Sequence, residues 1–539
     1  MTDVVEYNLN YRNFSEIDYL LGSNLSDTPW GVSRLIQRLP LFDLSKRHIP
    51  YLLLIHKVFY NNNFPLSDKK DTINTLLNDL YRNVIKKNER NQILDFFPEY
   101  YVYYLLLDLY IAGYKIDRIF KGHKYHYGPA YDLMEYSDFS SAGFPESFKA
   151  FTDKYVYLGQ GRERFLTEMA RAALHANNLP GFYAILGFIR DKDMKAYCLT
   201  EAAMVDVERN EIGHALKIAE SARDLRWKSE CYTEIAYSLS SLGKIELLLE
   251  IRKTITVPEA LIGIVCGLMD YYTRQNNYPM VEKLFEEALV FLDKIKDYFI
   301  KSTQLCLLMR IAHKNGDYSK VERCLNDILR YDSWISNDED RGSTRIYFCR
   351  VLILIDKSEQ AMELSRKWHM KGEKMNEYWQ NHNLNTQFNV MVLRQLDTID
   401  ANIHLDSFHQ TNMTLEKAAE YYRNVFKIAD MMEDFIYKED SLHLIALNMA
   451  KHGFYTDALK IRDTITGEGY HTSIDSKLPM YALVKGDVTD ALHYAGLISD
   501  QKTKLSVQLC MAPHLEKLSI KQDSTSILRE WANYIFQFS

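Results

Sequence analysis

The chain has 539 residues, of which 47% are hydrophobic and 25% are charged, so it can bury a large core and is ordinary in composition for a globular protein. Its formal net charge of -7 argues against a protein that binds nucleic acid through a general basic field. The 12 prolines and 22 glycines are few for this length, which predicts long helices joined by short turns.

The cysteines and the amino terminus indicate the compartment. Seven cysteines, none in a CxxC pair, support neither a disulfide framework nor a zinc ribbon. We predict that Cys198, Cys231 and Cys266 are small buried side chains in a reducing, cytoplasmic protein. The opening segment MTDVVEYNLN has no basic and apolar signal regions, and no apolar run is long enough to span a membrane. Export through another kind of signal stays open.

The first part of the chain is rich in proline and aromatic residues. Seven of the 12 prolines lie at or before Pro145. Residues 96–114, FFPEYYVYYLLLDLYIAGY, predict an aromatic-rich helix, and no internal period is visible in this part. We therefore predict a helical capping domain over residues 1–155, which covers the apolar end of a repeat array over residues 156–539.

Beyond residue 160, turn residues recur at intervals of 33 or 40, apart from a stretch near 330–440 that fits less well. Asn, Asp and Gly at these positions tolerate the left-handed conformation that ends a helix. Small or apolar residues follow five and eight places later, which is the spacing of one helix face. Each unit is predicted to be two amphipathic helices and a tight turn, and the turn residues are Asn177, Asn210, Gly243, Asn276, Gly316, Asp356, Gly453 and Gly486.

Three segments carry this pattern most clearly: HKNGDYSKVERCLNDIL, KHGFYTDALKIRDTI and VKGDVTDALHYAGLI, at residues 313–329, 451–465 and 484–498. Over roughly residues 160–510 the chain resembles a divergent tetratricopeptide repeat, although the common interval is 33 and no unit has the full Trp-Leu-Gly-Tyr set. The resemblance implies an all-α fold, a right-handed superhelix of helix pairs whose concave groove holds a protein partner.

The resemblance also implies which side chains line that groove. In the family, the first helix of each unit presents them ten, six, three and two places before the turn residue. Transferred to this chain, the positions are Arg171, His175, Glu208, Tyr237, Asp270, Arg274, Arg310, His313, Lys314 and Arg350. A cationic run across three units would clamp a carboxylate or a phosphate: Arg274, Arg310, His313, Lys314 and Arg350. The alternative is that acids on neighbouring helices neutralise it.

These observations predict a non-catalytic scaffold or adaptor that binds a peptide or a helical segment of a partner protein. An acidic or phosphorylated segment is one option. We expect no cofactor, no metal and no nucleic acid. The chain contains no HExxH, no P-loop lysine motif and no GxSxG. His123 and His126 lack a recognisable third metal ligand, which favours a surface loop. The alternative is a regulatory protein or effector in which residues 1–155 carry an unrecognised activity and the repeats select the target. A helical RNA binder would need a local basic groove.

Overall fold

A computed structural model describes residues 28–39, 48–85, 97–120, 128–369, 384–396, 399–400, 415–518, 526–532 and 534. These residues are almost entirely helical and form no β-sheet among themselves, so the predicted all-α class is confirmed. The chain divides into two compact units: the first comprises residues 1–188, 453–455 and 471–539, and the second comprises residues 189–452 and 456–470. The boundary predicted near residue 155 lies inside the first unit and stays a prediction from composition.

In chain order, the helices up to residue 188 are α1 (Pro29–Arg38), α2 (His48–Tyr60), α3 (Leu66–Leu80), α4 (Glu99–Ile111), α5 (Asp117–Phe120), α6 (Gly128–Glu135), α7 (Phe144–Tyr155), α8 (Arg162–His175) and α9 (Leu179–Leu186). The helices up to residue 452 are α10 (Lys192–Glu208), α11 (Ile212–Ser221), α12 (Leu225–Ser241), α13 (Ile245–Thr254), α14 (Pro258–Arg274), α15 (Tyr278–Lys294), α16 (Tyr298–Lys314), α17 (Tyr318–Asp332), α18 (Asp338–Leu354), α19 (Ser358–His369), α20 (Leu415–Asp430) and α21 (Phe435–Lys451). The remaining ones are α22 (Tyr455–Arg462), α23 (Glu468–Val484), α24 (Val488–Leu497) and α25 (Gln501–Lys517). Residues 384–396 and 526–532 are also helical.

The predicted turn residues all have a left-handed backbone, with φ between 55° and 91°. After α10, for example, the Asn210 N–H donates to the Val207 carbonyl at 3.0 Å, and the Glu211 N–H donates to the Asp206 carbonyl at 2.7 Å. This pair of hydrogen bonds is the Schellman motif, which ends a helix through a residue that accepts positive φ. The prediction that these eight positions are helix-ending turns is therefore confirmed.

In the second unit, five helix pairs follow one another from α10 to α19. The residue five places after each turn is at most 6% exposed, as the predicted stripe requires. The first helices α10, α12, α14, α16 and α18 each contain 17 residues, and each packs against the next one in chain order. Side chains on successive first helices therefore share one surface.

Two glycines allow α12 and α14 to touch through their backbones. A Cβ atom at Gly263 would lie 2.1 Å from the Thr233 hydroxyl oxygen and 2.8 Å from its Cα, and one at Gly267 would lie 2.8 Å from the backbone carbonyl of Ala236. Only glycine fits at such distances. As a result, Gln304 of α16 reaches α12, where its amide donates to the Ser229 hydroxyl at 2.9 Å.

In the first unit, amino-terminal helices pack with the last helices of the chain. Tyr100 Oη of α4 lies 2.8 Å from His514 Nε2 of α25. The ammonium group of Lys517 lies 2.9 Å from an Asp108 carboxylate oxygen and donates to Tyr104 Oη, also at 2.9 Å. Burial and the nearby Lys517 charge lower the pKa of His514 to about 3, so its imidazole is neutral in this core. The unit is thus built from segments that lie far apart in sequence.

The carboxylate of Asp400 contacts three hydrogen-bonding side chains on α21 and at its C-cap. Its carboxylate oxygens lie 2.5 Å from Asn448 Nδ2, 2.8 Å from Lys451 Nζ and 2.7 Å from His452 Nε2. Burial alone would raise the pKa of Asp400, but Lys451 and His452 bring it well below its usual value. The stability that this carboxylate contributes is therefore present above the unfolded pKa of about 3.9 and is lost as the pH falls toward the lower native value.

We expect Asp400→Asn to lower the free energy of unfolding by about 2 kcal/mol at pH 7, because the three groups lose a charged acceptor. Urea unfolding of both proteins at pH 7 and at pH 3 measures the effect. The difference should shrink at pH 3, because the Asp400 carboxylate is largely protonated in the unfolded wild type at this pH, whereas its native pKa is lower. A difference of equal size at both pH values would contradict this account.

Candidate partner-binding surface

The side chains predicted to line the groove lie in both compact units. Arg171 and His175 are on α8 in the first unit. Arg171 is 7% exposed and forms an ion pair with Glu168 at 2.9 Å, so its guanidinium is engaged within its own helix. The second unit holds the others, on α10, α12, α14, α16 and α18: Glu208, Tyr237, Asp270, Arg274, Arg310, His313, Lys314 and Arg350.

Asp270 of α14 engages two members of the predicted cationic run. Arg274 Nη2 lies 3.0 Å from Asp270 Oδ2, and Lys314 Nζ of α16 lies 3.2 Å from Asp270 Oδ1. Arg274 also donates to the Ser240 hydroxyl at 2.6 Å. Lys314 is thus neutralised by an acid on a neighbouring helix, as the alternative predicts, whereas Arg274 is neutralised by an acid on its own helix. His313 is half-buried, and its ring lies 6.2 Å from that of Tyr318.

Arg310 of α16 and Arg350 of α18 are in a different situation. Neither guanidinium forms an ion pair or a hydrogen bond with any residue that the structure describes. Arg310 is exposed, whereas Arg350 is half-buried and stands over the Tyr347 ring, 5.3 Å from its centre. Burial lowers the pKa of Arg350, the Tyr347 phenol opposes this effect, and the positive charges of Arg310 and Arg394 lower the pKa further. Arg350 is therefore a partly buried cation that interacts with two other cations and has no attached acid among the described residues.

Two glutamates of α12 complete the electrostatic environment. Burial raises the pKa of Glu234 to about 7, the charge of Glu230 adds to this effect, and Arg310 opposes it. Burial also raises the pKa of the exposed Glu230, and the charges of Arg226 and Arg394 oppose the rise.

Two aromatic side chains accompany these charged groups, Tyr237 of α12 and Tyr347 of α18, and both are half-buried. Burial raises the pKa of both phenols, and the charge of Arg310 opposes the rise in each case. Arg310 thus interacts electrostatically with groups on both α12 and α18, and these two helices also meet in the ion pair of Arg226 with Asp340 at 3.7 Å. We name this site the central recess and define it by Glu230, Glu234, Tyr237, Arg310, Tyr347 and Arg350.

Sequence reasoning identified three members of the central recess and missed the other three. Tyr237, Arg310 and Arg350 all stand six places before a turn residue, as the family register implies. Glu234 and Tyr347 stand nine places before the turn, not ten, so the transferred register passed over them. Glu234 and Glu230 stand three and seven residues before Tyr237, and this spacing, which places all three on one helix face, was the available signal.

One group of side chains among the described residues has metal-binding chemistry. Donor atoms of Asp206, Glu211 and His214 all lie within 4.8 Å of one another. His214 Nδ1 lies 2.6 Å from Asp206 Oδ2, and Asp206 is 1% exposed. Burial raises the pKa of Asp206, and the imidazole opposes the rise. A hydrogen bond across the turn accounts for this geometry without an ion. His123 and His126 lie outside the described residues.

The cysteines offer no reactive site. All seven lie in the described part of the chain, are buried and form no disulfide, so the predicted burial of Cys198, Cys231 and Cys266 is confirmed. Burial raises the pKa of the Cys231 thiol to about 12, which keeps it protonated.

Among the described residues, no helix has both the length and the apolar composition of a membrane span. The chain matches no family model, no curated protein and no solved structure.

Proposed function

We propose that this protein is a non-catalytic scaffold or adaptor that binds a segment of a partner protein in the central recess. The observation that carries the proposal is that neither Arg310 nor Arg350 forms an ion pair or a hydrogen bond with a described residue, although Arg350 Nε is buried. Placing two like charges together costs free energy unless an anion joins them. A carboxylate or phosphate on a partner segment supplies that anion.

The side chains around these arginines suit protein recognition. Guanidinium groups form paired, charge-assisted hydrogen bonds with carboxylates and phosphates. Tyrosine and arginine are enriched among the residues that dominate binding energy at protein interfaces, and Tyr237 and Tyr347 stand beside the two cations. All of these side chains project from long packed helices, so little conformational entropy is lost when a partner binds.

The proposal includes the architecture that the resemblance implies. Eight helix-ending turns and the chain-order packing of first helices in the second unit support a tetratricopeptide-like array that continues as a right-handed superhelix. In such an array the first helices line the concave groove. The central recess, built from the first helices α12, α16 and α18, would then lie on the groove floor.

We expect the double variant Arg310→Glu, Arg350→Glu to lose partner capture, with an affinity at least about 100-fold weaker, because two contacts of about 2 kcal/mol or more each become repulsive. Affinity purification from native lysate with mass spectrometry identifies the partner. Fluorescence anisotropy with a labelled fragment of that partner then gives the Kd of each variant.

The matched control is Arg323→Glu, Arg330→Glu on α17, which changes the net charge by the same amount. Both of these side chains are 55% exposed and form one surface ion pair each. This control should bind like the wild type, and thermal unfolding should show that both variants are folded. Equal capture by the wild type and the Arg310, Arg350 variant would refute the proposed function.

A further inference from the structure

One side chain joins the amino-terminal ends of four first helices. Arg226 of α12 forms an ion pair with Asp193 of α10, at 3.1 Å through Nη2, and another with Asp340 of α18, at 3.7 Å through Nη1. Its guanidinium also lies over the ring of Phe299 of α16, 5.4 Å from the ring centre. Helices α14 and α16 lie between α12 and α18 in the chain, so the Asp340 contact links two first helices that are not consecutive.

The geometry of this contact favours arginine over lysine. The planar guanidinium has two terminal nitrogens, and each one faces a carboxylate on a different helix. Asp193 also accepts a hydrogen bond from Trp227 Nε1 at 2.8 Å, and the centre of the Trp227 ring lies 5.0 Å from the guanidinium carbon. A lysine has one nitrogen on a flexible stem and cannot hold both acids in this way.

The helices joined by Arg226 also carry the central recess. The nearest recess member on α12, Glu230, stands one helical turn beyond Arg226, and the nearest one on α18, Tyr347, stands two turns beyond Asp340. The charge of Arg226 reaches Glu230, because it opposes the rise in the pKa of this carboxyl, as does the charge of Arg394. The separation of α12 and α18 at Arg226 therefore affects how far apart the recess side chains on these helices stand.

The strength of the ion pair allows this separation to vary. The side chains of Arg226 and Asp340 are 32% and 33% exposed, so water and salt reach them. An ion pair that is exposed to solvent changes an equilibrium constant by a factor of about 5 or less. Such a factor is enough to change the spacing of two helices and too small to decide whether the unit folds.

We propose that Arg226 is a positioning residue for partner binding: by pairing with Asp340 it sets the separation of α12 and α18, and thereby the width of the central recess. This inference rests on the proposed function, because it specifies how the recess of that function is kept in its binding geometry. Asp193 holds the same guanidinium from α10 but does not join α12 to α18. Loss of the Asp340 contact lowers the affinity, because the partner must then order the recess itself.

The test uses the full-length protein with spin labels at Leu225→Cys of α12 and Glu339→Cys of α18. Both sites are exposed, whereas the seven native cysteines are buried and stay unlabelled. Electron paramagnetic resonance measures the distance between the labels. Asp340→Asn should broaden the distance distribution, and Asp193→Asn should leave it unchanged. The two variants are matched, because each removes one acid that contacts Arg226, changes the net charge equally and lies in the first turn of its helix.

Two further measurements separate positioning from a general loss of stability. Thermal unfolding of Asp340→Asn and Asp193→Asn should match that of the wild type. At about 1 M salt, the wild-type distance distribution should become that of Asp340→Asn, because salt screens the ion pair. An equal change in the two variants, or no change in either, would overturn the inference.

Anisotropy with the labelled partner fragment measures the effect on binding. We expect Asp340→Asn to bind the fragment about 5-fold more weakly than the wild type does, and Asp193→Asn to bind it like the wild type. Unchanged affinity in a variant whose distance distribution is broadened would overturn the positioning role and leave the proposed function standing. Failure of the wild type to capture any partner would refute the proposed function and the positioning role together, while the spin-label distances would still define the link between α12 and α18.

Discussion

Replacing Gly263 and Gly267 together with valine is expected to lower the free energy of unfolding of the second unit by about 4 kcal/mol or more. Each new Cβ would meet backbone atoms of α12 at 2.8 Å, and backbone atoms cannot rotate away as a side chain can. Overpacking of one site typically costs about 1–3 kcal/mol, and two adjacent sites on one interface act together. Helices α12 and α14 must separate to accommodate the change.

Chemical unfolding followed by circular dichroism measures this loss. The control is Gly213→Val, Gly342→Val, since a Cβ at either of these helical glycines meets nothing within 4 Å. This control should change stability by no more than about 1 kcal/mol, because only helix propensity is altered. Partner binding should also weaken in the Gly263, Gly267 variant, because α12 carries Glu230, Glu234 and Tyr237 of the central recess. Equal stability of the two double variants would show that the close approach is not required.

The fragment 1–155 is expected not to fold by itself. Tyr100 and Tyr104 of α4 are buried, and their phenol groups contact α25. Glu135 of α6 likewise accepts a hydrogen bond from Tyr481 of α23 at 2.6 Å. Without residues 471–539 these aromatic surfaces face water, and each large aromatic side chain that loses burial costs about 1.5–3 kcal/mol.

Circular dichroism and amide hydrogen exchange of the fragment test this expectation. The fragment alone should show no cooperative melt, whereas mixing fragment 1–188 with fragment 453–539 should restore protected amides. A cooperative melt of residues 1–155 alone would contradict the shared core. It would also favour the hypothesis that this segment carries an activity of its own, apart from the repeats.

The sequence by itself determined the local parts of this protein. The turns at Asn177, Asn210 and the six later positions follow from one requirement, a residue that tolerates positive φ at the end of a helix, and all eight meet it. The buried position five places later follows from the 3.6-residue period of the next helix. Both depend on residues only a few positions apart in the chain, so a single sequence is enough to find them.

The tertiary structure alone decided which distant side chains meet. Asp270 engages Lys314, 44 positions away, and Tyr100 meets His514, 414 positions away. The close approach of α12 and α14 at Gly263 and Gly267 is likewise a tertiary feature, and no local pattern encodes which residues face each other across it.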